Sequence, residues 1–141
     1  DDDRYPRWNV IARREGKAPG PCVHFNSHID VVEPGEGWTV DPFGALVRDG
    51  RVYGRGACDV KCNWAVWLYL LACMKHLGLR PAHDILLIGT IDEEVGLLGA
   101  IAAARWIKQQ GLTVRRLVVA EPTGLKAASG LIIAHSEAAR V

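Results

Sequence analysis

Apolar and polar positions alternate over Trp8 to Arg14, which predicts a strand, and Gly16-Lys17-Ala18-Pro19-Gly20 supplies the turn that closes it. Cys22 to Ser27 reads as a second, buried strand. Residues 28 to 46 contain Pro34-Gly35, Gly37 and Pro42, which break any regular period and predict loop. Asp49-Gly50, set between Leu46-Val47-Arg48 and Arg51-Val52-Tyr53, predicts a hairpin. From Asn63 to Leu77 the rhythm changes: Trp64, Trp67, Leu68, Leu71 and Met74 recur at three- and four-residue steps, a helix whose apolar stripe serves the core and which Gly78 ends. Pro81 stops any continuation, and Asp84 to Thr90 is a short apolar run suited to a strand buried on both faces. A second helix runs from Leu97 to Gln110 and is closed by Gly111, Leu117 to Ala120 forms the next buried strand, and Leu131 to Ala134 begins another. The residues before Trp8 read as a polar, loose start. Strand, helix, strand, helix, strand predicts an α/β layer with a largely parallel sheet flanked by helices.

Composition narrows the partners. The 141 residues fit one domain, and 49% hydrophobic with 23% charged residues suits a packed core. A net charge of +1, with Lys and Arg dispersed, provides no basic stripe to neutralise a phosphate backbone, so nucleic acid is not expected as a partner. No apolar run approaches the roughly 20 residues that cross a bilayer, and Asp1-Asp2-Asp3-Arg4 is unlike a signal peptide, so no membrane partner is expected and a cytoplasmic location follows. Cys22, Cys58, Cys62 and Cys73 form no C-x-x-C pair, which favours reduced thiols over a thiolate zinc site or a redox motif. The chain opens on Asp1 and its only methionine is Met74, so a processed, trimmed or fragmentary chain is expected.

Candidate chemistry gathers at the ends of the predicted strands or in the loops after them: His28 with Asp30, then Asp59, then Glu93 with Glu94, then Glu121. In an open α/β sheet that edge is where ligands bind. One imidazole with several carboxylates suits divalent zinc, manganese or cobalt. Asp59 could bridge two ions, and Asp30, two residues after His28, could accept the second ring N–H and fix its tautomer. Glu93 and Glu94 are expected to point apart and divide two tasks, one binding metal and the other handling protons beside a water that the metal acidifies. Taken singly these motifs are bland: His-x-Asp is often structural, Asp-Glu-Glu is often a solvated turn, and Glu-Pro-Thr can be a strand exit. Solubility does not explain why all four fall at strand ends.

The segments Ser27-His28-Ile29-Asp30-Val31-Val32, Trp38 with Asp41-Pro42-Phe43, Asp49-Gly50-Arg51-Val52-Tyr53-Gly54-Arg55-Gly56-Ala57-Cys58-Asp59-Val60-Lys61, Asp92-Glu93-Glu94-Val95-Gly96 and Glu121-Pro122-Thr123 resemble, in order, those of the M20 metallopeptidases and amidohydrolases of the acetylornithine deacetylase and succinyl-diaminopimelate desuccinylase type. The resemblance runs from about Asn9 to His135. It implies a zinc-peptidase-like catalytic domain and hydrolysis of the amide bond of an N-acyl amino acid or small peptide. It also implies two Zn2+ per complete site, with Co2+ or Mn2+ as substitutes. His28 and Glu121 then match the ligands of one ion, Asp59 the bridge, Glu94 a ligand of the second, Glu93 the general base and Asp30 the support of the ligand histidine. A cis peptide between Asp59 and Val60 is implied as well. His24, His76 and His83 fall outside the motifs and read as structural or surface histidines, and His135 is not assigned as a ligand.

Two departures stand out. Family members follow the Asp-Met-Lys segment with Gly-Gly, whereas Lys61 is followed here by Cys62, Asn63 and Trp64, whose bulk is expected to narrow the site or alter the packing. Family enzymes are also considerably longer, with a lid domain that forms a homodimer and a C-terminal histidine ligand. Residues 1–141 are accordingly expected to be a partial, incomplete metal-binding catalytic domain. The rival readings are a dipeptidase or carboxypeptidase of the same family, and a non-catalytic remnant of the fold.

Overall fold

Seven strands and two helices account for the regular structure of the computed structural model, which describes residues 6–122 and the backbone of Ile132–Ser136. The Asp1-Asp2-Asp3-Arg4 start, Thr123, Leu131 and the tail after Ser136 lie outside the described residues. Strands β1 (Val10–Arg14) and β2 (Cys22–His28) precede the hairpin of β3 (Leu46–Arg48) and β4 (Arg51–Tyr53). Asp49 and Gly50 both have positive φ, as a two-residue turn that follows the strand twist requires. Helix α1 (Cys62–His76), β5 (Ile85–Thr90), α2 (Leu98–Gln109), β6 (Val114–Glu121) and β7 (Ile132–Ser136) follow. Both helices stop where glycine was expected to stop them: Gly78 and Gly111 adopt the left-handed conformation, and the next residues return N–H bonds to Met74 and Ile107.

The main sheet runs β1-β5-β2-β6-β7, with β5, β2 and β6 parallel and an antiparallel strand at each edge. The expected largely parallel sheet is therefore its centre. Chain travel from β2 to β5 goes one way across the sheet and from β5 to β6 the other way. Right-handed crossovers in opposite directions put the two helices on opposite faces. Leu86 and Ile88 of β5 join Cys22 and Ala103 beneath α2, while Leu87 joins Trp67 and Ala120 beneath α1. All three β5 side chains are 1% exposed or less, and each such burial stabilises the fold by about 1.5 to 3 kcal/mol.

Two expectations need correction. Trp64, Trp67 and Leu71 pack on the sheet, but Leu68 is 52% exposed, because one helical step beyond Trp67 turns it off the buried face. Strand β6 begins at Val114, earlier than its apolar run suggests, because pairing with β2 extends through the polar Arg115 and Arg116.

Candidate metal centre

The parallel strands deliver their C-terminal ends to one edge of the sheet, and every candidate residue lies there. His28 is the last residue of β2, Glu121 the last of β6, and Glu93 and Glu94 occupy the turn that follows β5. Asp59 sits in an irregular turn, Ala57–Lys61, closed by Lys61 N–H on Gly56 O and feeding directly into α1. Asp59 and Val60 depart from helical geometry, and the peptide between them is cis.

His28 is the hub. It is 1% exposed, and its Nδ1 lies 3.0 Å from the backbone carbonyl of Asp30, which can only accept, so Nδ1 carries a proton. Nε2 lies 3.0 Å from Asp59 Oδ1 and 3.8 Å from Glu121 Oε2. Nε2 is thereby turned to the Asp59 and Glu121 carboxylates. Burial alone drives the His28 pKa down, but the Asp30 carbonyl, the Asp59 carboxylate and the charges of Glu121 and Glu93 outweigh it, and the net shift is upward. The Glu121 carboxyl is pushed up by burial; His28 works against that, and the negative charges of Glu93, Asp59 and Glu94 add to it. Carboxylates crowded in this way are relieved by a cation.

One ligand atom from each of His28, Asp59 and Glu121 falls within 4.8 Å of the others, and the same holds for His28, Glu93 and Glu94. An imidazole with two carboxylates is a donor set that zinc, cobalt or manganese accepts. Both sets draw on His28, and Nδ1 is committed to Asp30. Glu93 and Glu94 therefore do not point apart as an extended pair would, since the turn curls both carboxylates back to the same imidazole. They still differ in setting: Glu93 is exposed and Glu94 half-buried.

Asp30 acts more broadly than its spacing suggests. Its backbone carbonyl makes the close contact with His28, and its carboxylate stands 3.6 Å from Nδ1. The two carboxylate oxygens accept the backbone N–H groups of Glu93 and Glu94 at 3.3 and 3.2 Å. Asp30 thus ties the histidine strand to the glutamate turn.

A sequence profile of peptidase family M20/M25/M40 matches residues 24–134. The chain belongs to that family. The succinyl-diaminopimelate desuccinylase of Granulibacter bethesdensis is 41% identical over 119 residues, covering 82% of this chain and 30% of that protein. The enzyme of the same name from Rhodospirillum centenum is 37% identical over 127 residues, covering 88% of this chain and 32% of its own length. The chain thus spans about a third of the length of these M20 relatives. Human carnosine dipeptidase 1 superposes on 80% of the chain with a TM-score of 0.66 and 26% identity, over 25% of its own length. An M20 metallo-carboxypeptidase of Sulfolobus solfataricus covers 83% with a TM-score of 0.68 and 24% identity, a likeness of fold.

The residues that depart from the M20 pattern after Lys61 each take up a packing or hydrogen-bonding contact. Asn63 is buried and donates from Nδ2 to Ala120 O at 2.8 Å, Cys62 Sγ–H points to Cys58 O, and Trp64 lies against Gly89 and stacks edge-on to Trp67. All four cysteines are free thiols. His24 is buried in β2, His83 donates to Ala18 O, and the His135 side chain lies outside the described residues. Among the described residues no helix is long and apolar enough to cross a membrane. Sequence reasoning missed the contacts of Arg7 and Asn9 with the glutamate turn, because only the pairing of β1 with β5 brings those segments together.

Proposed function

We propose that this chain is the metal-binding part of a divalent-metal-dependent hydrolase that cleaves the amide bond of an N-acyl amino acid, of the deacetylase or desuccinylase type. The observation that carries the reading is the convergence of a buried imidazole with Asp59, Glu121, Glu93 and Glu94 at one edge of the sheet, within coordination reach. His28 and Glu121 would hold one ion, Asp59 would bridge, and Glu94 would serve a second; zinc is the first choice and Co2+ or Mn2+ the substitutes. A divalent ion there would supply Lewis-acid polarisation of the scissile carbonyl and would acidify water to a pKa of about 7. Glu93, exposed where Glu94 is not, accepts the proton of the attacking water and returns it to the leaving amine, which departs neutral. Asp30 holds the His28 tautomer through its carbonyl and the glutamate turn through its carboxylate. The names of the desuccinylase relatives support the N-acyl substrate class, and the likeness to carnosine dipeptidase 1 supports a dipeptidase as the second reading. We extend the proposal to a homodimeric whole protein.

The test uses a longer protein containing this chain, assayed on N-succinyl-diaminopimelate, N-acetylornithine and simple dipeptides. Glu93→Gln is expected to lower turnover by at least about 100-fold, the scale of general-base catalysis, with metal content retained. Glu94→Gln is expected to lose metal. Equal metal loss in both variants would reject the division of roles, and hydrolysis of dipeptides alone would select the second reading.

A further inference from the structure

The turn carrying Glu93 and Glu94 is tied at both ends by the segment that precedes β1. Pairing of Val10 with Gly89 in the antiparallel β1–β5 ladder leaves Asn9 just beyond the last bonded pair, beside the mouth of the turn. There its side chain uses both arms. Oδ1 accepts the backbone N–H of Ile91 at 3.1 Å, and Nδ2 donates to the carbonyl of Gly99 at 2.7 Å. Ile91 enters the turn and Gly99 lies in the first turn of α2, so one amide joins the two sides of the loop. Gly99 is buried, and a Cβ there would overlap the backbone of Ile91 and stand 2.8 Å from Asn9 Oδ1, so the three groups are in mutual contact. Arg7, two residues earlier, pairs with the carboxylate of Asp92, which is 5% exposed and has φ 61°. The Asp92 carbonyl in turn accepts the N–H groups of Gly96 and Leu97 at 3.0 and 2.6 Å.

We infer that Asn9 is a positioning residue for the Glu93–Glu94 pair, with Arg7 as its second anchor, and that the segment before β1 is a clamp on the site. Neither residue approaches His28, Asp59 or Glu121 through any bond described above; both act through the turn. Asp30 grips the turn from the β2 side and Asn9 from the β1 side. With Asn9 truncated, the Ile91 N–H and the Gly99 carbonyl lose their Asn9 partner, and the turn is left to Asp30 and to the Arg7–Asp92 pair.

The inference rests on the roles proposed above for Glu93 and Glu94, and its test separates the two. Amide hydrogen exchange is measured on this chain, its Asn9→Ala variant and Asn9→Asp, which keeps the acceptor arm and loses the donor. Co2+ affinity is measured in parallel by calorimetry. Asn9→Ala is expected to speed exchange at Glu93 and Glu94 at least about 10-fold, leaving the central strand β2 unchanged, and to weaken Co2+ binding by about 10- to 100-fold, as lost outer-shell partners do. Asn9→Asp is expected to fall between Asn9→Ala and the parent. Unchanged exchange at Glu93 and Glu94, or equal acceleration across β2 and β6, would overturn the clamp. If the parent chain binds no Co2+, the metal reading fails, and the exchange experiment still decides whether Asn9 holds the turn.

Discussion

His24 and His28 lie four residues apart on β2, and their environments drive them in opposite directions. His24 is 5% exposed, its Nε2 has no partner among the described residues, and burial pushes its pKa down to about 4 from 6.5. As pH falls through 6.5 the unfolded imidazole takes up a proton that the folded one refuses until about 4, so stability is lost across that window. The loss approaches about 3 kcal/mol at the acid end. His28 has the reverse sign, since its raised pKa contributes stability that is present below the unfolded value and disappears as pH rises through the folded one. Urea unfolding at about pH 7 and about pH 5 should show the parent losing more stability on acidification than His24→Leu. Equal losses would mean that His24 is not held neutral. Protons and a cation compete for His28 Nε2, so Zn2+ affinity is expected to fall as pH is lowered, by up to about tenfold per pH unit. Calorimetry in buffers of different ionisation enthalpy should register the proton released.

The irregular turn and the start of α1 form the element on which Asp59 depends, and two of the contacts that hold it can be tested. Asn63 binds Ala120 O, one residue before Glu121, which ties the helix carrying one carboxylate to the strand carrying another. Asn63→Leu removes that buried hydrogen bond and is expected to cost about 1 kcal/mol in a denaturant titration. Gly89 is the second contact, because a Cβ there would stand 2.5 Å from Trp64 Cζ2 and 2.8 Å from Ile29 Cγ2. Gly89→Ala should destabilise by about 1 to 3 kcal/mol through overpacking, and Trp64→Leu in the same chain should recover part of it. Additive losses in the double variant would show that the two residues do not meet. The boundaries of α1 were legible from its period and from Gly78, whereas the destination of Asn63 was not. A side-chain bond to a strand 57 residues away leaves no periodic trace.

At the scale of the whole molecule, the described residues provide two ligand sets that share a single imidazole. With Nδ1 held by Asp30, His28 can enter only one set at a time, and a second ion would be left with Asp59 and Glu94 alone. The 141-residue chain is therefore expected to hold at most one Zn2+ tightly, read by competition with a chromogenic chelator. Asp59 and Glu121 side chains are 51% and 43% exposed, so the edge is open to water, which weakens electrostatic stabilisation of a developing oxyanion. Negligible deacylation of N-acetylornithine by this chain is expected on that account. Two tightly held ions with brisk turnover would mean that Asp59 and Glu94 gain a further ligand.

The order of elements and the parallel centre of the sheet could be read from the sequence, as could the six candidate residues that the structure gathers at one edge of that sheet. Those features are encoded locally, in apolar period, turn residues and the chemistry of side chains at strand ends. Strand order and register were decided only by the tertiary structure. They brought Asn9 and Arg7 to the glutamate turn, curled Glu93 and Glu94 onto one histidine, and gave the Asp30 carboxylate to the N–H groups of a turn 63 residues away. Each of these is a bond between segments distant in the chain, and its geometry exists only once the sheet has set which ends lie side by side.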